Sequence, residues 1–185
     1  MGLDSLNARS ALQGDVAAKQ MADCLNLVDR SIKELRTMSY LLYPPMLEEM
    51  GLRTAVQWYV DGFARRSGID VQLDISASLS RLPRDLELTA FRVLQESLTN
   101  VHRHSGSSSA HVRLRVENGS LHLEITDFGK GLPPTVLQVA PGCVSTVGVG
   151  LRGMTERVRQ LGGTLTLFSD GGTIVTASLP YAFES

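Results

Sequence analysis

The stretch that decides the fold is residues 110–131, AHVRLRVENGSLHLEITDFGKG. Apolar and polar residues alternate in two runs within it, Val112/Leu114/Val116 and Leu121/Leu123/Ile125. This alternation predicts two strands that each turn one face to a core. The tetrapeptide Glu117-Asn118-Gly119-Ser120 between them is typical of a tight turn, because asparagine and glycine tolerate positive φ. The stretch therefore predicts a β-hairpin.

Asp127 ends the second strand of this hairpin. A period of two places it on the same inward side as Leu121, Leu123 and Ile125, so a carboxylate is expected at the core face. Phe128-Gly129-Lys130-Gly131 follows, and its glycines let the backbone approach a ligand closely. The motif alone leaves two interpretations open, a ligand-binding loop or an ordinary turn that ends a strand.

Further patterns flank the hairpin on both sides. The predicted elements are a helix from Leu52 to Ser67-Gly68, a strand at Val71–Ile75, a helix from Pro83 to about His104, the hairpin, a Gly- and Pro-rich loop from Lys130 to Gly150, a helix at Leu151–Leu161, and strands near Thr164–Phe168 and Thr173–Leu179. This order predicts an α+β fold. We expect a two-layer sandwich with a mixed sheet of about five strands and three helices on one face.

The N-terminal region carries a different pattern. No proline occurs from Ala11 to Leu42, and apolar or small residues recur there at alternating steps of three and four. This heptad seam predicts a long helix, which either packs on its own domain or pairs with other helices in a bundle. Pro44-Pro45 ends it. The predicted domains are therefore 1–45, a partial dimerisation helix, and 46–185.

Composition excludes several classes of function. The 185 residues carry a net charge of −1, so no overall basic field indicates nucleic acid or an anionic membrane as a partner. The two cysteines, Cys24 and Cys143, show no spacing typical of a zinc site or a disulfide framework and fit a reducing compartment. No apolar run is long enough to span a bilayer, and the start lacks the features of a signal peptide. We expect a cytoplasmic location for this part of the protein, and a full-length protein that contains it could be anchored in a membrane.

Two further motifs could bind a ligand. Glu96, Asn100 and His104 are spaced at i, i+4 and i+8 along one edge of the helix predicted from Pro83 to about His104. Asn100 lies close to the apolar face of this helix. Such an amide either binds a ligand or is satisfied by neighbouring backbone. Gly148-Val149-Gly150-Leu151 directly precedes a helix, whose free amides and positive dipole end suit phosphate. Each signal is weak alone, but their ordered combination in one α+β pattern is specific.

The combination resembles the ATP-binding catalytic domain of bacterial two-component sensor histidine kinases, within the superfamily shared with gyrase, the heat-shock chaperone and mismatch-repair proteins. The resemblance covers roughly Leu27 to Leu179. The matching motifs are an N box at Glu96–His104, a first glycine box at Asp127–Gly131, a second at Gly148–Met154, a closing motif at Gly171-Gly172-Thr173, and a Leu-x-Pro-Pro type linker at Leu42–Leu52.

The resemblance implies a role for each site residue. Asp127 would accept the adenine amino group, and Thr173 would support the same end of the nucleotide. Asn100 would bind Mg²⁺, and Glu96 would be the catalytic residue that polarises the attacked imidazole or a water, unless it is only a solvated carboxylate. The remaining residues implied in ATP binding are Gly129, Gly131, Gly148, Gly150, Leu151 and His104. His104 and Arg103 are equally well explained as a surface cap of the helix. Residues 132–147 would form a mobile lid.

The phosphoacceptor is the main departure from the family pattern. The family phosphorylates a histidine on the first helix of a dimerisation hairpin, whereas the four histidines here lie in the N box and on the predicted strands. Either the chain is a portion of a longer kinase, or it binds ATP without phosphorylating itself. In the first case, the resemblance implies a homodimer that acts on a response regulator receiver domain. The second reading is a regulatory module, such as a degenerate kinase or an anti-sigma-like protein.

Overall fold

The computed structural model describes residues 45–132 and 149–181, together with Met21 and Leu25. The chain divides into two compact units, Met1–Pro45 and Met46–Ser185. Most of the predicted N-terminal helix, and residues 133–147 of the predicted lid, lie outside the described residues. The architecture given below is that of the second unit.

The described part of this unit contains three α-helices and five strands. In chain order they are α1 (Pro45–Ser67), β1 (Asp70–Ile75), α2 (Arg84–Asn100), β2 (Ser109–Glu117), β3 (Ser120–Asp127), α3 (Val149–Gln160), β4 (Thr164–Phe168) and β5 (Thr173–Pro180). The chain continues from α2 into one π-helical turn, Val101–Ser105. The predicted α+β fold is confirmed, although the helix predicted to reach His104 has α-helical geometry only to Asn100.

The strands form one mixed sheet in the order β1-β2-β3-β5-β4. β1 pairs with β2 in parallel, and the other pairs are antiparallel. The hairpin β2–β3 lies at the centre, with Glu117 opposite Ser120. Asn118 and Gly119 have φ values of 51° and 71°, as a two-residue turn with two positive φ values requires. The predicted hairpin and its turn are confirmed.

One face of the sheet packs against the helices. The inward residues of the central strands are at most 2% exposed and include Val112, Leu114, Leu121, Leu123, Ile125 and Ala177. Leu94 and Leu98 of α2 are fully buried against this core. The Tyr59 and Phe91 rings pack edge to face at 5.6 Å and join α1 to α2. Burial of aliphatic side chains thus holds α2, the helix that carries the N box.

The first turn of α1 is joined to the start of α2 by a buried carboxylate. Helix α1 breaks at Gly51, which has φ 78° and ψ 174°. Glu87, 1% exposed, accepts a hydrogen bond from the Leu82 amide at 3.0 Å and pairs with Arg81 at 3.6 Å. The Arg81 guanidinium also donates to the Glu48 carbonyl. This cluster fixes where α2 begins.

Candidate functional site

One cavity of about 730 Å³ lies between α2, the first glycine box, the start of α3 and the sheet. It brings together eight of the ten residues predicted for the site, and these are Glu96, Asn100, His104, Asp127, Gly131, Gly150, Leu151 and Thr173. Gly129 is not among the lining residues, and Gly148 lies outside the described residues. The three sequence motifs therefore meet at a single place in the fold.

Asp127 is a buried carboxylate that lines the cavity, and the part of the cavity around it is called the Asp127 end. It is 5% exposed, which confirms its predicted inward orientation, and it lies opposite Thr173 in the β3–β5 pair. Its Oδ1 accepts the Gly129 amide at 2.9 Å. A carboxylate can accept about four hydrogen bonds, so Asp127 keeps acceptor capacity for a ligand. The neighbouring walls are apolar and are formed by Ile125, Leu167 and Val175. The Asp127 end therefore suits a largely apolar group that donates a hydrogen bond.

The first glycine box is fastened to the π turn through Ser105. The Lys130 amide donates to the Ser105 carbonyl at 2.9 Å. A Cβ added at Gly129 would overlap this carbonyl oxygen and lie 2.7 Å from its carbon, so only glycine fits there. The Ser105 hydroxyl donates to the Val101 carbonyl at 2.8 Å. Gly129 thus allows the loop to pack closely against Ser105, and it does not line the cavity.

A second serine, Ser169, holds the other side of the same loop. Its hydroxyl accepts the Leu132 amide at 2.9 Å and donates to the Gly172 carbonyl at 2.8 Å. Gly131 has φ 74° and approaches this hydroxyl so closely that a Cβ would overlap it. The sequence does not predict these roles of Ser105 and Ser169, because a serine in a turn usually hydrogen-bonds backbone close to itself in the chain. Their only sequence signal is their position beside the glycine motifs.

The edge of α2 supplies polar and charged groups along the cavity. Glu96 and Asn100 are partly buried there, one turn apart. In the π turn, Arg103 and His104 line the cavity, whereas the His102 ring lies edge-on to Phe63 at 6.3 Å. One-turn π segments occur often at functional sites, and here the wider turn places two consecutive side chains at the cavity rim.

The N-terminus of α3 lies at the cavity as well. Gly150 and Leu151 lie in its first turn and line the cavity. The positive end of the helix dipole favours an anion there. The basic side chains of Arg103, His104 and Lys130 also line the cavity. One end therefore suits an anionic group, and the Asp127 end suits a hydrogen-bond donor.

Tyr59 of α1 packs against the part of α2 that carries Glu96. Burial raises the pKa of the Tyr59 phenol, and its hydrogen bond with the Thr99 side chain acts in the opposite direction. The Thr99 hydroxyl in turn donates to the Gln95 carbonyl at 2.7 Å. This contact ties α1 to the segment of α2 between Glu96 and Asn100.

The described residues contain no group of three or more histidine, cysteine, aspartate or glutamate side chains arranged to hold a metal ion. Asn100 offers a single amide oxygen in the cavity. Mg²⁺ bound together with phosphates needs only one or two protein oxygens, since phosphate and water supply the rest of its six ligands. The donor set therefore fits Mg²⁺ that enters with a polyphosphate. Over residues 45–132 and 149–181, no helix has both the length and the apolar character of a membrane span.

Comparison with curated proteins finds sensor histidine kinases. The chain is 33% identical over 167 residues to the sensor histidine kinase MctS of Rhizobium johnstonii, covering 90% of this chain and 35% of that protein. It is 31% identical over 172 residues to the histidine-protein kinase/phosphatase DegS of Brevibacillus brevis, covering 92% and 43%. The chain thus spans less than half of the length of these relatives.

Solved structures show the same fold. The histidine kinase domain of the blue-light activated kinase from Erythrobacter litoralis superposes with a TM-score of 0.59 at 22% identity, covering 70% of this chain and 60% of that one. The histidine kinase AdeS of Acinetobacter baumannii gives 0.55 at 17% identity, covering 88% and 82%. At these identities the likeness shows the fold alone.

The family model itself supplies the assignment. The model described as histidine kinase-, DNA gyrase B- and HSP90-like ATPase matches residues 85–182, from the first turn of α2 to just beyond β5. The match spans more than half of the chain and includes every described residue that lines the cavity. The chain therefore belongs to the histidine kinase-, DNA gyrase B- and HSP90-like ATPase family, as an ATP-binding domain of the histidine kinase type.

Proposed function

We propose that this chain is the catalytic part of a sensor histidine kinase, which transfers the γ-phosphoryl group of Mg-ATP to a histidine. A receiver domain of a response regulator would then take the phosphoryl group. The observation that carries the proposal is the meeting of eight motif residues around one cavity, in a chain whose curated relatives are named sensor histidine kinases.

The Asp127 end is proposed to bind adenine. A buried carboxylate with free acceptor capacity can accept the exocyclic amino group, and Thr173 lies directly opposite on β5. The apolar walls formed by Ile125, Leu167 and Val175 would contact the faces of the base. The Gly129 amide occupies only one acceptor position of this buried carboxylate, so a ligand can donate a further hydrogen bond to it.

The opposite end is proposed to bind the phosphates. Asn100 would hold Mg²⁺ through its amide oxygen, and bound Mg²⁺ neutralises charge on the phosphates. Arg103 and Lys130 line the cavity and add positive charge, and the His104 side chain lines it as well. The N-terminal amides of α3 complete a site for an anion, with Gly148, Gly150 and Leu151 as the proposed contributors. Residues 132–147 would form a lid over the nucleotide.

Glu96 is proposed as the catalytic carboxylate. It lies one helical turn before Asn100 and lines the cavity beside the start of α3. From there it can orient an imidazole and accept its proton while the positioned phosphates react. In this type of phosphoryl transfer, positioning and charge stabilisation provide most of the catalysis.

The assembly and location of the whole protein belong to the same proposal. The Leu42–Leu52 segment supports membership in the subfamily with a Leu-x-Pro-Pro linker, and the heptad pattern before it supports a homodimer. The acceptor histidine would lie on a helix that pairs with residues 1–45. The domain would act in the cytoplasm, where ATP and response regulators are found.

Calorimetry of ATP binding with the Asn100→Asp variant tests the proposal. We expect wild-type protein to bind Mg-ATP with micromolar to submillimolar affinity. Asn100→Asp places a carboxylate against the phosphates and should weaken binding at least about tenfold, or 1.4 kcal/mol. The matched control is Asn118→Asp in the hairpin turn, where aspartate tolerates the φ of 51° and affinity should not change.

A second measurement separates the kinase from a regulatory module. The full-length protein should transfer labelled phosphate from ATP to a histidine, giving an acid-labile product. If Mg-ATP binds at this cavity but no histidine in the full-length protein is labelled, the kinase assignment is wrong and the domain is a nucleotide-controlled interaction module. Equal ATP affinity in wild type and Asn100→Asp would instead contradict the site assignment.

A further inference from the structure

Gly150 lies against the carboxylate of Glu96. A Cβ added at Gly150 would overlap Glu96 Oε1 and lie only 2.6 Å from Cδ and 3.3 Å from Cγ. Cβ contacts below 3.0 Å are essentially never observed. The Glu96 carboxylate therefore occupies space that exists only because residue 150 has no side chain.

The requirement for glycine at 150 is not a backbone requirement. Gly150 is in the first turn of α3 and is not among the glycines with positive φ. A Cβ at Gly129 or Gly172 would strike backbone atoms of Ser105 or Asp127, whereas the three nearest atoms outside α3 to a Cβ at Gly150 all belong to the Glu96 side chain. Alanine is also a better helix former than glycine. An alanine at 150 should leave the fold intact and displace one carboxylate.

The Glu96 carboxylate lies beside the first turn of α3, which contains Gly150. Gly150, Glu96 and Asn100 all line the same cavity. The space left at Gly150 thus admits the Glu96 carboxylate to the part of the cavity where the phosphates are proposed to bind.

We propose that Gly150 is a positioning residue for Glu96: by leaving this space open, it places the carboxylate where it acts on the phosphoryl acceptor. The inference rests on the proposed kinase function and adds a role for Gly150 beyond lining a phosphate site. Gly150 acts through Glu96 and contacts no reacting atom in this role. Because Gly150→Ala keeps the backbone amide that is proposed to bind phosphate, the substitution should affect the rate of transfer more than the affinity for ATP.

The test compares Gly150→Ala with wild type in the full-length protein. We expect the Kd for Mg-ATP to change by less than about threefold, while the maximal rate of histidine phosphorylation falls roughly 10- to 100-fold. The matched control is Gly62→Ala in α1, because its Cβ would also meet only the far end of a charged side chain, Arg66, at 2.9 Å. Gly62→Ala should keep the wild-type rate, and both variants should unfold at or above the wild-type temperature.

A shorter carboxylate at position 96 makes the test specific. In Glu96→Asp the carboxylate carbon takes the place of Cγ, 3.3 Å from the added Cβ, and its two oxygens can rotate about the Cβ–Cγ bond away from that Cβ. In that background Gly150→Ala should change the rate by less than about threefold, because the two sites are coupled.

Two outcomes overturn the inference while leaving the kinase function standing. One is an unchanged rate in Gly150→Ala. The other is a loss of ATP affinity that accounts for the whole loss of rate, which would make Gly150 a phosphate-binding residue only. Failure of the wild-type protein to phosphorylate a histidine would instead contradict the proposed function itself.

Discussion

Asp127 and Thr173 lie directly opposite each other in the antiparallel pair β3–β5, and both side chains line the cavity. Gly172, the residue before Thr173, approaches so closely that an added Cβ would overlap the Asp127 carbonyl oxygen and lie 3.1 Å from Phe128 Cα. The adenine end of the proposed site is therefore built on two hydrogen-bonded strands. A strand-based position is held more rigidly than one in a free loop.

Asp127→Asn should weaken ATP binding strongly. The change keeps the shape of the side chain but removes a charged acceptor, and hydrogen bonds to charged groups contribute about 1.5–3 kcal/mol. The expected loss of affinity is therefore roughly 10- to 100-fold, measured by calorimetry. Asp70→Asn, at the exposed start of β1, makes the same chemical change outside the cavity and serves as the control. Similar affinities for wild type and Asp127→Asn would remove Asp127 from the proposed adenine site.

Gly172→Ala should destabilise the domain far more than Gly171→Ala. Both glycines have positive φ, but a Cβ at Gly171 meets nothing within 4 Å, whereas one at Gly172 strikes the backbone of Asp127 and Phe128. Conformational strain alone costs about 1–2 kcal/mol. We expect about that much for Gly171→Ala and at least about 3 kcal/mol for Gly172→Ala, measured by urea unfolding. Equal losses would show that β3 and β5 separate easily at this end.

Tyr59→Phe should lower the free energy of unfolding at neutral pH. It should also make that free energy fall less steeply as the pH rises above about 10. Loss of the hydrogen bond with Thr99 should cost about 1 kcal/mol at pH 7. Burial raises the pKa of Tyr59 in the folded protein, so above about pH 10 the unfolded chain loses this proton first. The contribution of the neutral phenol is fully present below the unfolded pKa and is lost as pH rises through the folded pKa.

Urea unfolding of wild type and Tyr59→Phe between pH 7 and pH 11 checks this expectation. The two proteins share all other titrating groups, so the difference between their pH profiles isolates Tyr59. The free energy of unfolding should fall more steeply for wild type than for the variant above about pH 10. Parallel profiles would mean that burial does not hold the proton on Tyr59.

Much of the fold and of the site follows from local sequence patterns. The alternation of residues 121–127 is enough to place Asp127 inward, and its exposure of 5% confirms this. Asn118-Gly119 is enough to fix the hairpin, because few other pairs adopt two positive φ values. These predictions succeed since side-chain direction in a strand and the geometry of a tight turn depend on neighbouring residues only.

Features that depend on distant contacts could not be predicted in the same way. The π turn ends at Ser105, whose carbonyl lies against Gly129 and accepts the Lys130 amide. These two residues of the first glycine box follow Ser105 by 24 and 25 positions in the chain. Periodicity alone continues the α-helix to His104. Similarly, Ser169 gains its role from contacts with Leu132 and Gly172, and the sheet order places β5 between β3 and β4. Such contacts leave no periodic trace in the sequence.

The β3–β5 pair also has a consequence for the order in which the domain is made. Strand β3 has its hairpin partner β2 at once, but its other edge stays open until β5 is synthesised, and Thr173 follows Asp127 by 173 − 127 = 46 residues. At about 5–20 residues per second, ribosomes need roughly 2–9 s for this distance. During that time an apolar central strand presents an unpaired edge, the kind of surface on which nascent chains aggregate. The wall of the proposed adenine site is thus the last part of the domain to close.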